Sequence, residues 1–207
     1  MLCDFHTHCR SGSAAELVSS SCKSSGFWSL ELHPWHLPLQ YSGLPDDFTD
    51  LLKAASAVGE VGLDRLKGPA LDVQIKYFSS VLALAQEYHK PVVIHAVRCI
   101  PELDRCLKAF SGNVLIHGFR GGADKLRHHL SLGRWVSFAP GAWKQVGSLL
   151  AENDALDHIG LETDDSGLAI ADVYRAAELE SGISGWEQKM ENSFRSFLGI
   201  SKEESLL

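Results

Sequence analysis

The sequence lacks several features that mark particular classes of protein. No apolar run reaches the roughly 18 residues of a membrane span, no stretch repeats, and no two cysteines are spaced CxxC as in a zinc ribbon. The start of the chain, MLCDFHTHCR, has no basic region followed by an apolar stretch, so we expect no secretory signal. The composition, 45% hydrophobic and 22% charged over 207 residues, is typical of a globular protein, and we expect one domain spanning residues 1–207.

Basic residues are outnumbered, and the cysteines are odd in number. Lys and Arg total 19 against 26 Asp and Glu, a net charge of −7, which argues against a protein whose whole surface binds nucleic acid but leaves room for a local basic patch.

A chain of this length folds without cross-links, so we expect reduced cysteines, a cytoplasmic location and no membrane association. The five cysteines are Cys3, Cys9, Cys22, Cys99 and Cys106.

Short apolar runs alternate with amphipathic stretches along most of the chain. Apolar residues without polar alternation are typical of strands buried on both faces of a parallel sheet. Helical spacing of apolar residues, with Pro91, Gly133 and Gly199 at the boundaries, predicts helices between the strands. This alternation predicts an α/β fold of βαβ units. The runs are residues 57–63, 92–94, 114–116, 135–139 and 159–161, and the helices are 70–89, 101–110, 124–132 and one around 190–197.

The segment 11–25 interrupts this alternation because it holds seven serines. Its composition favours a polar loop, with residues 16–21 as a candidate short strand. A parallel crossover needs about a dozen residues or more, so two full crossovers do not fit before the apolar run at 27–32. We therefore expect a reduced second βα unit at this corner of the fold.

Metal-ligand residue types follow the apolar runs. Because the carboxyl ends of parallel strands build the active site of α/β folds, we expect these side chains to share one site. His6 and His8 are two residues apart, and residues at i and i+2 of a strand face the same way. Imidazoles and carboxylates together suit zinc, manganese or similar ions, and six ligands exceed one tetrahedral ion, which argues for two ions sharing a carboxylate. The set is His6, His8, Glu60, His95, His117 and Asp164.

Each of these residues also has an ordinary alternative role. A lone histidine at a strand end is more often structural, Glu60 alone could be a buried ion-pair partner, and Asp164 alone could cap a helix. Four strand ends that each finish with a ligand-type residue are much harder to explain in that way. Asp4, two residues before His6, is expected either to orient a ligating imidazole or to form an ion pair at the base of the sheet. The histidines outside the pattern are expected on the surface or in packing: His89, His128, His129 and His158.

Seven short motifs occur in order along nearly the whole chain: DFHTH (4–8), LHPW (32–35), GEVGLD (59–64), PVVIHAVR (91–98), LIHGFRG (115–121), LETD (161–164) and ENSFRSF (191–197). Any one of them is weak, but the ordered set is specific. It resembles the TatD family of metal-dependent hydrolases, which are amidohydrolase-like barrels. The resemblance implies a TIM-like (β/α) barrel, a centre of one or two metals, and a nuclease or phosphoesterase activity.

The resemblance also implies a role for each ligand. The implied cofactors are two divalent ions, Zn, Mg or Mn, with an activated water as the nucleophile. Asp164 is a candidate general base while serving as a ligand, and Glu60 would fix the spacing of the ions. By the resemblance His6 and His8 bind the first metal, Glu60 bridges both, His95 and His117 bind the second, and Asp164 completes the first and touches the reactive water.

The sequence departs from the family pattern in four places. Glu31 stands where the family has a glycine, and Asp165-Ser166-Gly167 replaces a Ser-Pro. The unit between His8 and His33 is shortened, and the chain is shorter than the ~250 residues of typical barrels. None of these changes removes a predicted ligand, but the first two alter the rim of the pocket.

Arginines and aromatic residues close to the ligands predict a substrate site. A local ring of guanidinium groups would grip phosphates bidentately, and Trp35 would stack on a base. Any single arginine is better explained as a solvated loop residue, and Trp35 is at least as well explained as a packing residue. The candidate substrate-binding residues are Arg10, Arg65, Arg98, Arg120, His33 and Trp35.

The main functional prediction is a metal-dependent deoxyribonuclease that trims the single-stranded ends of DNA, as a monomer or small homo-oligomer. An alternative keeps the metals but hydrolyses a small amide, lactone or ester, because Glu31 and Asp165 make the pocket less inviting to polyanions. A second alternative is a non-catalytic scaffold, which would be expected to have lost a ligand, whereas all six are present.

Overall fold

The computed structural model describes residues 1–139, 141–142 and 157–206. The chain divides into two compact units. The terminal unit consists of Met1–Val18 with Leu115–Leu207, and the central unit is Ser19–Val114. That the chain is one domain stays a prediction.

The described residues contain one sheet of eight strands that follow one another in chain order. The strands pair in parallel, so the predicted α/β class with a parallel sheet is confirmed. Each of the five predicted apolar runs is a strand. The strands are β1 (Cys3–Thr7), β2 (Ala15–Ser20), β3 (Trp28–Leu30), β4 (Ala57–Asp64), β5 (Val92–Val97), β6 (Val114–Ile116), β7 (Trp135–Phe138) and β8 (Ile159–Leu161).

Helices follow most of these strands, and the four predicted ones lie within a few residues of the expected bounds. A short 3-10 helix (Pro34–His36) and two further α-helices were not predicted. The α-helices of the described residues are α1 (Phe48–Ala54), α2 (Leu71–Glu87), α3 (Ile100–Leu107), α4 (Ala123–Ser131), α5 (Ile170–Ser181) and α6 (Trp186–Leu198).

The helices begin and end where the residues favour it. Along α2, Val73, Tyr77 and Val81 recur every fourth residue on the buried face, as an amphipathic helix requires. α6 ends at Gly199, whose φ of 70° is the left-handed conformation that glycine adopts without steric cost. The stop signal used in the sequence prediction is therefore the residue that ends the helix.

In the terminal unit, β1 lies beside β2 on one side and the end of β8 on the other. Cys3 pairs with Ala15, and Thr7 forms a parallel bridge with Asp164. The backbone N–H of Asp164 donates to the carbonyl oxygen of His6 at 3.0 Å. The carboxyl ends of β1 and β8 are thereby held next to each other.

The candidate strand at residues 16–21 is confirmed as β2 (Ala15–Ser20), the rest of residues 11–25 contains no helix or strand, and the reduced unit is confirmed. Residues 8–14 return the chain from β1 to β2 without a helix. Seven extended residues reach about 23 Å, which exceeds the roughly 16 Å length of a five-residue strand, so a short parallel connection is possible here. Buried Glu16 holds this connection, because its carboxylate accepts hydrogen bonds from the backbone N–H groups of Ser11 (2.9 Å) and Gly12 (3.1 Å).

In the central unit, β3, β4 and β5 are neighbours, and α2 packs against β4. Gly62 of β4 has a φ of 144°, and a Cβ at this position would lie 2.1 Å from the carbonyl oxygen of His95. A larger residue would therefore push β5 away. This close approach places His95 directly beside β4, which carries Glu60 and Asp64.

Among the described residues, no helix combines the length and apolar character needed to cross a bilayer. All five cysteines are free thiols, in agreement with the expected reduced state. The cytoplasmic location stays a prediction.

Candidate functional site

The terminal unit brings four predicted ligands together. The ring centroids of His6 and His8 are 5.0 Å apart, and those of His6 and His117 are 4.3 Å apart. Asp164 Oδ1 lies 3.7 Å from Nε2 of His6 and 3.5 Å from Nε2 of His8. His6, His117 and Asp164 each offer a ligand atom within 4.8 Å of the others. We call these four residues the terminal cluster.

The terminal cluster runs from the interior to a cavity. His6 is fully buried, whereas the side chains of His8 and Asp164 are 37% and 24% exposed. The cavity beside them has a volume of about 310 Å³, and its lining includes His8, Asp164, Arg10, Asp165 and Leu168. A small molecule or one nucleotide-sized group can therefore approach the exposed ligands.

Asp4 lies behind the terminal cluster and hydrogen-bonds to a hydroxyl and to backbone N–H groups rather than to an imidazole. Its carboxylate accepts hydrogen bonds from the Thr163 hydroxyl (2.6 Å), the Thr163 N–H (3.1 Å) and the His6 N–H (3.3 Å). Burial raises the pKa of Asp4 to about 7, although the hydrogen bonds from Thr163 act in the opposite direction. Asp4 thus orients the strand that carries His6, rather than the ring of a ligand.

Glu162 is a site residue that the sequence reasoning missed. It is fully buried and accepts hydrogen bonds from the Gly118 N–H (2.6 Å) and the Ser137 hydroxyl (2.5 Å). Its Oε1 also lies 3.8 Å from Nδ1 of His117. Burial raises the pKa of Glu162, but His117 and the other partners outweigh burial and lower it overall, so the group is ionised. The i, i+2 spacing from Asp164 is the sequence signal that points to it.

The central unit brings two further predicted ligands together with His33. Glu60 Oε1 lies 2.6 Å from Nδ1 of His95 and 3.0 Å from Nε2 of His33. All three side chains are buried and offer ligand atoms within 4.8 Å of one another. We call Glu60, His95 and His33 the central cluster.

Asp64 and Trp35 surround the central cluster. Asp64 Oδ2 accepts a hydrogen bond from the Trp35 indole N–H at 2.6 Å and lies 3.0 Å from Nε2 of His95. Burial raises the pKa of Asp64, but the hydrogen bonds from Trp35 and His95 outweigh it and lower the pKa overall. The ammonium of Lys67 lies 3.7 Å from the centre of the Trp35 ring. Trp35, predicted to stack on a base, is 41% exposed but is held by Asp64 and Lys67.

One family model, described as TatD related DNase, matches residues 8–169. The chain belongs to the TatD family. No curated protein sequence matches the chain at a significant level.

Solved structures of TatD proteins show the same fold. YjjV, a TatD homologue from Escherichia coli K12, superposes with a TM-score of 0.75 at 19% identity, over 97% of this chain and 98% of that one. A TatD family hydrolase from Entamoeba histolytica gives 0.75 at 14% identity, over 95% and 97%. An amidohydrolase from Saccharomyces cerevisiae gives 0.51 at 13% identity, over 74% and 65%. The predicted TIM-like parallel barrel is therefore confirmed, and this TatD protein is a hydrolase.

The two clusters fit the divalent ions on which TatD hydrolases depend. Each combines imidazole nitrogen with carboxylate oxygen, the donor set that suits zinc or manganese. The terminal cluster contains four of the six predicted ligands, and the central cluster contains the other two.

The four candidate arginines lie on exposed positions, but two of them already pair with acidic groups. Arg65 lies 2.9 Å from Glu102 Oε2, and its Nε donates to the Arg98 carbonyl oxygen at 2.9 Å. A nitrogen of Arg10 lies 3.7 Å from Glu16. Arg98 and Arg120 are exposed as well. Their contact with a substrate stays a prediction.

The four histidines outside the ligand pattern are surface or packing residues, as expected. His129 is buried with its Nδ1 3.2 Å from Arg134, and the ring of His158 lies 4.2 Å from that of Trp135. His89 and His128 are exposed.

Proposed function

We propose that the chain is a divalent-metal-dependent deoxyribonuclease that acts on single-stranded DNA ends. The observation that carries the proposal is the match of residues 8–169 to the TatD related DNase model, together with the presence of all six candidate ligands. The terminal and central clusters supply the imidazoles and carboxylates that such an enzyme needs.

In the proposed enzyme, His6, His8 and Asp164 would hold the first ion, and His95 with Glu60 would hold the second. The bridging role of Glu60 and the assignment of His117 to the second ion come from the family resemblance and stay predictions. When bound, such ions supply an activated water at neutral pH and neutralise charge on a scissile phosphate.

Side chains of the protein would accept the proton of the water, hold a ligating imidazole in place and bind the substrate. Asp164 is partly exposed and lines the cavity, which supports the proposal that its carboxylate would accept the proton of a water as general base. Ionised Glu162 accepts bonds from fixed donors in the interior and faces His117, which restrains that ring. Arg10 lines the same cavity and in the proposed enzyme would bind a phosphate oxygen.

A second candidate function is hydrolysis of a small amide, lactone or ester. The observation that favours it is the cavity of about 310 Å³, which has Asp165 in its lining next to Asp164. An acidic wall repels a polyanion and tolerates a small neutral substrate.

The test is an activity panel on metal-loaded protein. Zinc-, manganese- and magnesium-loaded samples are offered end-labelled single-stranded DNA, duplex DNA, RNA, and small amides and lactones. We expect stepwise shortening of the single-stranded DNA, and loss of at least 100-fold in rate for Asp164→Asn, which keeps the shape but lacks the basic oxygen. His128→Ala, a histidine outside both clusters, is the matched control and is expected to keep full activity.

Cleavage of small amides or lactones alone would reject the nuclease and support the second candidate. Unchanged hydrolysis in folded Asp164→Asn and His95→Ala would show that the active site lies elsewhere. Absence of any hydrolysis in the metal-loaded wild type would favour the scaffold.

A further inference from the structure

The hydrogen bonds of the central cluster determine which nitrogen of each histidine carries a proton. A neutral imidazole has one N–H donor and one nitrogen lone pair, and its partners decide which is which. His33 and His95 both face Glu60, but their other nitrogens face groups of opposite character. The two rings therefore have different roles toward a cation.

Asp64 can only accept hydrogen bonds, and its acceptor positions are in use. Oδ1 accepts the backbone N–H groups of Leu66 (2.7 Å) and Lys67 (3.1 Å), and Oδ2 accepts the Trp35 indole N–H (2.6 Å). His95 Nε2 approaches the same Oδ2 at 3.0 Å and must therefore carry the proton. In the neutral ring the lone pair of His95 then lies on Nδ1, 2.6 Å from Glu60 Oε1.

His33 has the reverse arrangement. The backbone N–H of Trp35 donates to its Nδ1 at 3.1 Å, so this nitrogen carries the lone pair. The proton is on Nε2, which donates to Glu60 Oε1 at 3.0 Å. His33 thus turns a donor toward Glu60, whereas His95 turns a lone pair toward it.

In this tautomer the Nδ1 lone pair of His95 faces the Glu60 oxygen at 2.6 Å, and two acceptors so close repel each other unless a proton or a metal ion binds there. Nδ1 can therefore serve as a metal ligand, whereas an N–H cannot bind a metal. We propose that Asp64 is the positioning residue that makes Nδ1 of His95 a metal ligand, and that His33 is a hydrogen-bond donor to Glu60 and not a ligand. This inference rests on the proposed metal centre.

Gln74 fixes Asp64 in this position. Its side-chain oxygen accepts the Asp64 N–H at 2.7 Å, and its amide donates to the carbonyl oxygens of Asp64 (2.9 Å), Lys67 (3.0 Å) and Pro69 (2.8 Å). Gln74 is 1% exposed, so these bonds are shielded from water. The loop that supplies both N–H donors to Asp64 is thereby held in place.

The test substitutes Asp64→Asn and measures zinc binding by calorimetry, with the folded state verified by circular dichroism. The two backbone N–H groups keep the amide oxygen at the Oδ1 position, so the NH₂ group faces His95 Nε2 and reverses the tautomer. We expect zinc affinity at one site to fall 10- to 100-fold. Trp35→Phe, which leaves the contact between Asp64 and His95 in place, is expected to stay within threefold of wild type.

The double variant Asp64→Asn with Trp35→Phe separates the tautomer from a steric cause. The double variant removes the clash between the indole N–H and the new NH₂ group. If that clash were the cause, zinc affinity would return to the wild-type value, whereas a reversed tautomer of His95 would keep zinc binding weak. His33→Gln keeps an N–H donor for Glu60, so we expect its zinc affinity to fall clearly less than that of His95→Gln, and a loss as large as that of His95→Gln would make His33 a ligand.

Nitrogen NMR of zinc-loaded protein labelled at histidine provides the direct readout, with His95→Gln to assign the signal. We expect a proton on Nε2 of His95 and none on Nδ1. A proton on Nδ1, or zinc binding by Asp64→Asn equal to wild type, would overturn this inference and leave the metal centre intact. Failure of the wild type to bind zinc, manganese or magnesium would instead overturn the proposed function, and this inference with it.

Discussion

At the scale of single residues, the ligand types could be predicted because they end apolar runs in the sequence. His6, His8 and Asp164 meet in the terminal cluster for that reason. Asp64 lies in the GEVGLD motif but its role was not predicted, and Glu162 was missed, because both roles depend on partners distant in sequence, namely the indole N–H of Trp35 and the backbone N–H of Gly118. No local sequence pattern predicts which hydrogen-bond donor a buried carboxylate will contact in the fold.

Asp4 makes a prediction for stability at this scale. Its pKa is raised from 3.8 to about 7 in the folded protein, so folding favours the protonated form. The stability from this group is full below about pH 4 and is lost as the pH rises through 7. Asp4→Asn cannot titrate, and the free energy of unfolding of the variant should therefore fall less between pH 4 and 7 than that of wild type, by up to a few kcal/mol.

Urea unfolding of metal-free protein at steps from pH 4 to 8 measures this difference. Asp46→Asn changes an exposed carboxyl and serves as the control, which should run parallel to wild type. Parallel curves for Asp4→Asn and wild type would contradict the raised pKa of Asp4.

At the scale of elements, a clear apolar run made a strand predictable even where the strand is short, and segments without such a run were harder to assign. β6 and β8 coincide with their apolar runs, whereas β2 lies within a serine-rich segment. α1 has only seven residues, too few for a clear periodicity. α5 does carry helical spacing at Ile170, Val173, Tyr174 and Ala177, so its sequence contained the signal.

The helix-free connection from β1 to β2 makes a prediction at the scale of elements. Buried Glu16 replaces a helix as the support of this connection, and it accepts two backbone N–H groups. In Glu16→Gln the new NH₂ group faces a donor, either Gly12 N–H or Ser11 N–H, and one bond is lost. We expect a loss of about 1–3 kcal/mol in the free energy of unfolding, because hydrogen bonds to a charged group are strong.

Urea unfolding at neutral pH measures the effect of Glu16→Gln. Glu180→Gln removes the same charge from an exposed position on α5 and is expected to change stability by less than about 0.5 kcal/mol. Equal stability of the two variants would mean that the chain connection does not depend on Glu16.

At the scale of the whole molecule, the order of the motifs was enough to predict the family and the barrel. The sequence signal was collective, because seven motifs in one order constrain the fold more than any one of them does. What the motifs did not determine is how many arginines remain available to a substrate, since that depends on pairs such as Arg65 with Glu102.

The salt dependence of DNA cleavage tests how many arginines remain available to the substrate. Because the net charge is −7, any binding of DNA must depend on local cationic side chains. Of the four candidate arginines, Arg65 and Arg10 already lie close to acidic groups. On single-stranded DNA each neutralised phosphate contributes a slope of about −0.7 to log K against log salt. We therefore expect log kcat/KM on a short oligonucleotide, at saturating metal, to fall with a slope between roughly −1 and −3 from 50 to 300 mM salt. A slope steeper than about −5 would require more phosphate contacts than these arginines supply. Arg120→Gln removes one exposed cation and should therefore make the slope shallower by less than about one.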